Sequence, residues 1–219
     1  MLVRSFHKPS MAGKNTPILE NLLDQDGSVD YCEQFIPSDC ASSLFDRLIS
    51  GTAWQQESIQ IGSKIMNCPR LTFWMGDPGT RYRFSGKNHH PAAWSDDLLD
   101  LRDRVTRVTQ LETNSVLLNY YRNGNDSVAW HSDNEPELGT DPSIVSISLG
   151  CARTFEIRHK QSRSSKRITL PHGSLLWMHG PFQSRWEHRV AKQPWLSTPR
   201  INLTFRLIFK RPHGSDYSV

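Results

Sequence analysis

No two cysteines in this chain are spaced as CxxC. The four, Cys32, Cys40, Cys68 and Cys151, are scattered. That spacing excludes a zinc knuckle and a thioredoxin-like redox centre, and it fits a reducing compartment. Also missing is any apolar run near the ~20 residues that a membrane helix needs, so no membrane partner is expected. No apolar signal core follows Met1. There are no internal repeats and no linker long enough to divide the chain. The first nineteen residues hold no acid. Lysine is scarce, with 8 against 18 arginines. The net charge of +4 is too small to name a polyanionic partner. The arginine excess says more, because the planar guanidinium fork matches carboxylates and phosphates.

What is present argues for a folded protein. The 219 residues suit one large domain, and 7 Trp, 9 Phe and 5 Tyr exclude a disordered chain. Ala41, Leu44, Phe45, Leu48 and Ile49 repeat at helical spacing, with Ser38 as the expected N-cap. A second helix is expected from Ser95, with Leu98, Leu101, Val105 and Val108 on one face and Asp96 and Asp97 in the first turn. After Thr109 the texture changes to short strands, at 115–121, 144–149, 154–158, 167–170, 174–178, 187–190 and 201–210. Strands at this spacing predict a sandwich or barrel, with the two helices packed outside it.

Three clusters carry chemistry. In Trp130-His131-Ser132-Asp133, an extended strand would point His131 and Asp133 to one side. Alone, HxD is a weak signal. In Arg200-Ile201-Asn202-Leu203-Thr204-Phe205-Arg206 the alternation is unbroken. The apolar face must enter a core, and the polar face would line a surface or a cavity. Two guanidiniums on one face with no acid in the strand repel each other unless an anion lies between them, and a dicarboxylate would satisfy both. His188 lies twelve residues before Arg200. Two histidines, one carboxylate and a dianion site form the arrangement of non-haem Fe(II) oxygenases. A zinc hydrolase could use the same three ligands, but it would leave the arginine pair unexplained.

On these residues the chain resembles the AlkB family of Fe(II)/2-oxoglutarate dioxygenases, over about residues 31–210. The motifs are His131-x-Asp133, His188 and the heptad Arg200 to Arg206. Asn119-Tyr120-Tyr121, Ser146-Ile147-Ser148-Leu149-Gly150 and His172-Gly173-Ser174-Leu175-Leu176 agree with them. Likeness is strongest to the subgroup holding the second and third human AlkB homologues, through Pro69-Arg70, 82–86, Asp133-Asn134-Glu135 and 155–160. The resemblance implies a mainly β fold with flanking helices: a double-stranded β-helix, or jelly roll, behind an N-terminal α/β nucleotide-recognition region. It implies Fe(II) on His131, Asp133 and His188, and 2-oxoglutarate on Asn119, Tyr121, Arg200, Asn202, Thr204 and Arg206, with O₂ as the second cosubstrate. The implied reaction is oxidative dealkylation of bases such as 1-methyladenine and 3-methylcytosine. Formaldehyde is released, and 2-oxoglutarate becomes succinate and CO₂. An alternative is a hydroxylase or demethylase acting on RNA or protein.

A base within a duplex must be flipped out or already single-stranded to reach such a site. By resemblance, Tyr82, Arg83 and Phe84 line the base pocket, with Phe84 as the stacking ring. Glu135 places an acid near a cationic base, Asn134 borders the same pocket but stands where the close homologues usually have an acid, and Arg70 and Arg158 contact the strand. Residues 153–167 carry six basic side chains against one acid, Glu156, and match a family loop that lies against DNA. Gly62 stands where the duplex-preferring homologue has an aromatic wedge, which leaves Ile61 as the nearest apolar candidate. The expected map is a lead-in over 1–29 and one dioxygenase domain over 30–210, made of a recognition region over 30–112 and a core over 113–210. A tail over 211–219 completes it. The expected partner is alkylated single- or double-stranded DNA, or RNA, bound by a monomer. The expected location is the cytoplasm, on a bacterial reading of the short chain, or the nucleus of a eukaryote.

Overall fold

The computed structural model describes residues 17–61, 64–80, 82–84 and 87–209, with the backbone alone for 59–61, 82–84 and 87–89. Strands β1 (Glu20–Asn21) and β2 (Ser28–Cys32) lead into α1 (Ser38–Gly51). Next come β3 (Ser58–Ile61), β4 (Lys64–Asn67), β5 (Leu71–Gly76), β6 (Tyr82–Phe84), β7 (Lys87–His89) and α2 (Asp96–Thr109). The core begins with β8 (Ser115–Tyr121), β9 (Val128–His131), β10 (Ile144–Gly150) and β11 (Arg153–His159). It closes with β12 (Ser165–Leu170), β13 (Leu175–His179), the short α3 (Phe182–Arg185), β14 (Trp186–Val190) and β15 (Arg200–Arg206).

Two antiparallel sheets face each other. The major sheet runs β1-β2-β13-β10-β15-β8-β5 and the minor sheet β12-β11-β14-β9. From β8 to β15 the chain passes repeatedly between the sheets, which makes the core a double-stranded β-helix. Strand alternation builds three layers from this. On β15, Ile201, Leu203 and Phe205 are fully buried against α1 and α2, together with Val116, Leu118, Val145 and Ile147. Each such side chain contributes roughly 1.5–3 kcal/mol by leaving water. The residues between them on β15 point the other way, into the space between the sheets. An apolar cluster including Phe155, Ile157, Leu176, Met178 and Phe182 fills the rest of that space. The polar face of β15 is therefore interior.

Both expected helices form. Ser95 caps α2 by accepting a hydrogen bond from Leu98 N, and Leu98, Leu101 and Val105 are buried. At α1 the N-cap is Pro37 and no side chain caps it, so Ser38 is the first helical residue rather than the cap. The lead-in also differs from expectation. β1 and β2 reach back to Glu20 and join the major sheet, with Tyr31 opposite Leu176. Strand β5, unexpected from its sequence, pairs with β8 along six positions. Strand β15 ends at Arg206, not at residue 210. Among the described residues no helix is long and apolar enough to cross a membrane. Residues 1–16, the Gly62 position and the 211–219 tail lie outside the described residues, as do the side chains of Ile61, Tyr82, Arg83 and Phe84.

Candidate active site

A cavity of about 350 Å³ opens between the sheets. Eleven of the expected site residues line it: Arg70, Asn119, Tyr121, His131, Asp133, Glu135, His188, Arg200, Asn202, Thr204 and Arg206. Asn134 and Arg158 do not.

The minor sheet supplies a possible metal centre. One ligand atom from each of His131, Asp133 and His188 lies within 4.8 Å of the others. His131 is opposite His188 in the β9–β14 ladder, which sets the two rings side by side with centroids 4.2 Å apart. Asp133 does not share a strand with His131, because β9 ends at His131. Its backbone N–H instead donates to Gln183 Oε1 at 3.0 Å, and Gln183 is fully buried. The His131 Nδ1 sits 2.9 Å from Ala129 O. With the proton there, Nε2 is free to bind a metal, a common way of orienting a ligating histidine.

Electrostatics prepare two of these groups, Asp133 and His188. Burial alone would push the Asp133 carboxyl up. Arg206, His188, His131 and Arg70 together outweigh it, and the pKa falls below the ordinary carboxylate value. Arg206 Nη2 donates to Asp133 Oδ1 at 3.1 Å. For His188, burial lowers the pKa to about 3, helped by the neighbouring His131 and opposed by Asp133. The ring is thus unprotonated at neutral pH, as a metal ligand must be. Two imidazoles and one ionised carboxylate are the donor set of a non-haem Fe(II) site, so the residues fit that metal.

The major sheet supplies the dianion wall. Arg200 is 1% exposed. Its Nη2 donates to Ser148 Oγ at 2.9 Å, and its guanidinium lies 5.2 Å from the Tyr121 ring. Nε and Nη1 are buried with no hydrogen-bond partner among the described residues. Burial lowers its pKa to about 10, with Tyr121 opposing, so it stays cationic at neutral pH. A buried cation with two unmet donors implies a missing acceptor, since leaving such groups unpaired is costly. A carboxylate end of 2-oxoglutarate fits that need. Asn202 Nδ2 donates to Ser146 Oγ, and Thr204 Oγ1 donates to Asn202 Oδ1. The two arginines are thereby told apart: Arg206 adjoins the metal centre, while Arg200 closes the other end.

Arg70 belongs to this interior. Its Nε donates to Asn119 Oδ1 at 2.8 Å. Glu135 lines the cavity with Oε2 buried and no hydrogen-bond partner among the described residues, whereas Asn134 is exposed. Arg158 is bound on the outer face of the minor sheet to Glu187 at 2.6 Å and to the Trp130 ring. Arg153 is 2% exposed, so it is no part of a surface loop. It donates to the carbonyls of Asn123, Asp126 and Ala191 and to Gln193 Oε1, tying together two loops. A Cβ at Gly124, in one of these loops, would strike the Gln193 carbonyl. Outward cations remain at Arg163 and Arg167, with side chains 57% and 78% exposed, though each has a glutamate within reach. Gln183 and Ser148 were missed from sequence. Gln183 had no signal at all, and Ser148 lay in a motif quoted only for likeness.

Comparison with known proteins identifies the family. The profile of the 2OG-Fe(II) oxygenase superfamily matches residues 28–206. Alpha-ketoglutarate-dependent dioxygenase alkB homolog 3 of Bos taurus is 39% identical over 86% of this chain and 69% of its own length. The Mus musculus protein of that name is 38% identical over 98% of this chain and 78% of its own. DNA oxidative demethylase ALKBH2 of Homo sapiens is 39% identical over 68% of this chain and 60% of its own. The solved structure of OsALKBH1 superposes with a TM-score of 0.60 at 17% identity, covering 86% of this chain and all of that one, and shows the shared fold. The chain belongs to the 2OG-Fe(II) oxygenase superfamily and, within it, to the AlkB family.

Proposed function

We propose that this enzyme removes alkyl groups oxidatively from N-alkylated nucleobases in DNA. One observation carries the reading: a single cavity holds the His131–Asp133–His188 cluster, the unmet donors of buried Arg200 and the unpartnered carboxylate oxygen of Glu135. Those are places for a metal, a dicarboxylate and a cationic base, respectively. The name DNA oxidative demethylase, borne by relatives 39% identical, supports the same substrate class.

Family membership sets Fe(II), 2-oxoglutarate and O₂ as the cofactor and cosubstrates. His131, Asp133 and His188 would hold Fe(II), which would supply the O₂ chemistry that oxidises 2-oxoglutarate to succinate and CO₂. This chain's residues do the rest. Arg206 neutralises the carboxylate end nearest the metal. Arg200, backed by Ser148 and stacked near Tyr121, takes the distal end. Asn119, held by Arg70, and Asn202 and Thr204 line the space between them. Glu135 faces the alkylated base, where a negative charge favours the cation of 1-methyladenine or 3-methylcytosine over the neutral product. Once the N-methyl carbon carries a hydroxyl, the carbon leaves nitrogen as formaldehyde.

Tyr82, Arg83 and Phe84 complete the base pocket in this reading, on the β6–β7 hairpin. Arg163 and Arg167 meet the phosphates; Arg158 and Arg153, engaged elsewhere, do not. The enzyme works as a monomer, with residues 30–112 and 113–210 as one unit, wherever nucleic acid is held in the cell.

Formaldehyde release on matched single- and double-stranded oligonucleotides bearing 1-methyladenine or 3-methylcytosine tests this. A methylated RNA and a methyl-lysine peptide serve as competitors. Release from the DNA strands that depends on 2-oxoglutarate and is lost in Asp133→Ala is expected. Release from the peptide alone would overturn the reading.

A further inference from the structure

Of the site's strands, β9 has the least backbone support. It is an edge strand, and it meets β14 at only two paired positions, His131 with His188 and Val128 with Val190. Between those pairs β9 advances three residues while β14 advances two. That is a β-bulge, the device that re-aims a side chain beside an active site. It explains why Val128 and His131, three apart, both line the cavity. It also leaves Trp130 on the outer face with few ladder bonds beside it.

The orientation of His131 depends on this strand. Its Nδ1 is held by Ala129 O, a carbonyl of β9 itself. Any shift of β9 moves both the imidazole and the group that orients it.

What holds β9 laterally is Trp130. The Arg158 guanidinium, from β11, lies 4.1 Å from its ring centroid, and that of Arg189, from β14, lies 4.5 Å away. Neither cation is loose. Arg158 binds Glu187 at 2.6 Å and Arg189 binds Glu156 at 2.6 Å. The register places Glu156 opposite Arg189 and Arg158 opposite Glu187, so the two ion pairs cross the β11–β14 ladder with opposite polarity. This quartet presents two oriented guanidiniums to one indole, each a favourable cation–π contact. The ring thereby couples the edge strand to the two inner strands without a backbone hydrogen bond.

We propose that the Trp130 clamp, with Arg158, Arg189, Glu156 and Glu187, is a positioning device for the metal centre. It fixes β9 so that His131 Nε2 is preorganised toward Asp133 and His188. The inference rests on the metal-site reading above. It also gives Arg158 a role distinct from contacting phosphate. Trp130 and its arginines act through His131 and touch no reactant.

The test is Co(II) titration of the metal-free protein, read by the visible absorption of the bound ion. Outer partners of metal ligands typically govern about 10–100-fold in affinity. Trp130→Leu and Arg189→Met should each bind Co(II) at least about tenfold more weakly than the parent. The absorption should change in shape, reporting altered ligand geometry. Trp130→Phe, which keeps a ring for the guanidiniums, should recover most of the affinity. If Trp130→Leu unfolds, Arg189→Met carries the test, with circular dichroism confirming its fold. Parent-like affinity and spectrum in the folded variants would overturn the proposal. So would a Trp130→Phe variant as weak as Trp130→Leu. A parent that takes up no Co(II) would sink the metal-site reading itself, and that control separates the two failures.

Discussion

The β8–β15 wall and the β9–β14 wall face each other across one cavity, yet they are held in different ways. β15 pairs with β8 at seven consecutive positions and with β10 at six. Its buried alternate residues anchor it to the helices. Asn202, Thr204 and the two arginines therefore stand on a rigid, central strand. The opposite wall ends in an edge strand with two ladder pairs and a bulge. Its ligands are placed by side chains: Gln183 for Asp133, Ala129 O for His131 and Trp130 for the strand. The dianion wall comes from backbone register, and the metal wall from packing added to it. Substitutions on the two walls should accordingly fail in different ways.

The arginine pair gives the largest contrast. Arg206 touches Asp133 and so belongs to both walls. Arg206→Ala should weaken binding of both Fe(II) and 2-oxoglutarate. Arg200→Ala removes only a buried partner of the dicarboxylate. A charge-assisted bond is worth about 1.5–3 kcal/mol, so the KM for 2-oxoglutarate should rise about 10–100-fold, with Fe(II) affinity unchanged. Steady-state kinetics alongside metal titration separate the two. Equal loss of metal affinity in both variants would erase the distinction between the walls.

A different contrast is expected from pH on the metal-free protein. His188 has an ordinary pKa of 6.5 when unfolded and about 3 when folded. Between those values the unfolded chain holds one more proton than the native state, so stability falls as pH drops through 6.5. The slope from this group is about 1.4 kcal/mol per pH unit. Asp133, whose pKa is also lowered on folding, adds its loss at more acid pH, in the same direction. Denaturant melts of parent and His188→Gln between pH 7 and pH 4 should show the parent's slope reduced in the variant. Identical slopes would remove His188 as the buried titrating group.

How legible the site was in the sequence followed the same division. The Arg200 to Arg206 alternation predicted an apolar and a polar face, and β15 has both, because strand period is a local property that burial enforces. His131, Asp133 and His188 do converge, but by a different geometry from the expected one. His131 and Asp133 were expected on one strand face; the strand ends first, and Gln183, fifty residues on, places Asp133. Arg153 and Arg158 looked like surface cations because their partners, the loop carbonyls in one case and Glu187 with Trp130 in the other, meet them only after folding. Strands β1 and β5, which lacked a clear period, are the two edges of the major sheet.

In this reading both walls meet at one metal. Anaerobic equilibrium dialysis of Fe(II), with and without 2-oxoglutarate, tests it directly. Ligands that share a centre must alter each other's affinity by the same factor. 2-Oxoglutarate should tighten Fe(II) binding, Fe(II) should tighten 2-oxoglutarate binding equally, and Asp133→Ala should abolish both effects. Independent binding of the two in the parent protein would contradict it.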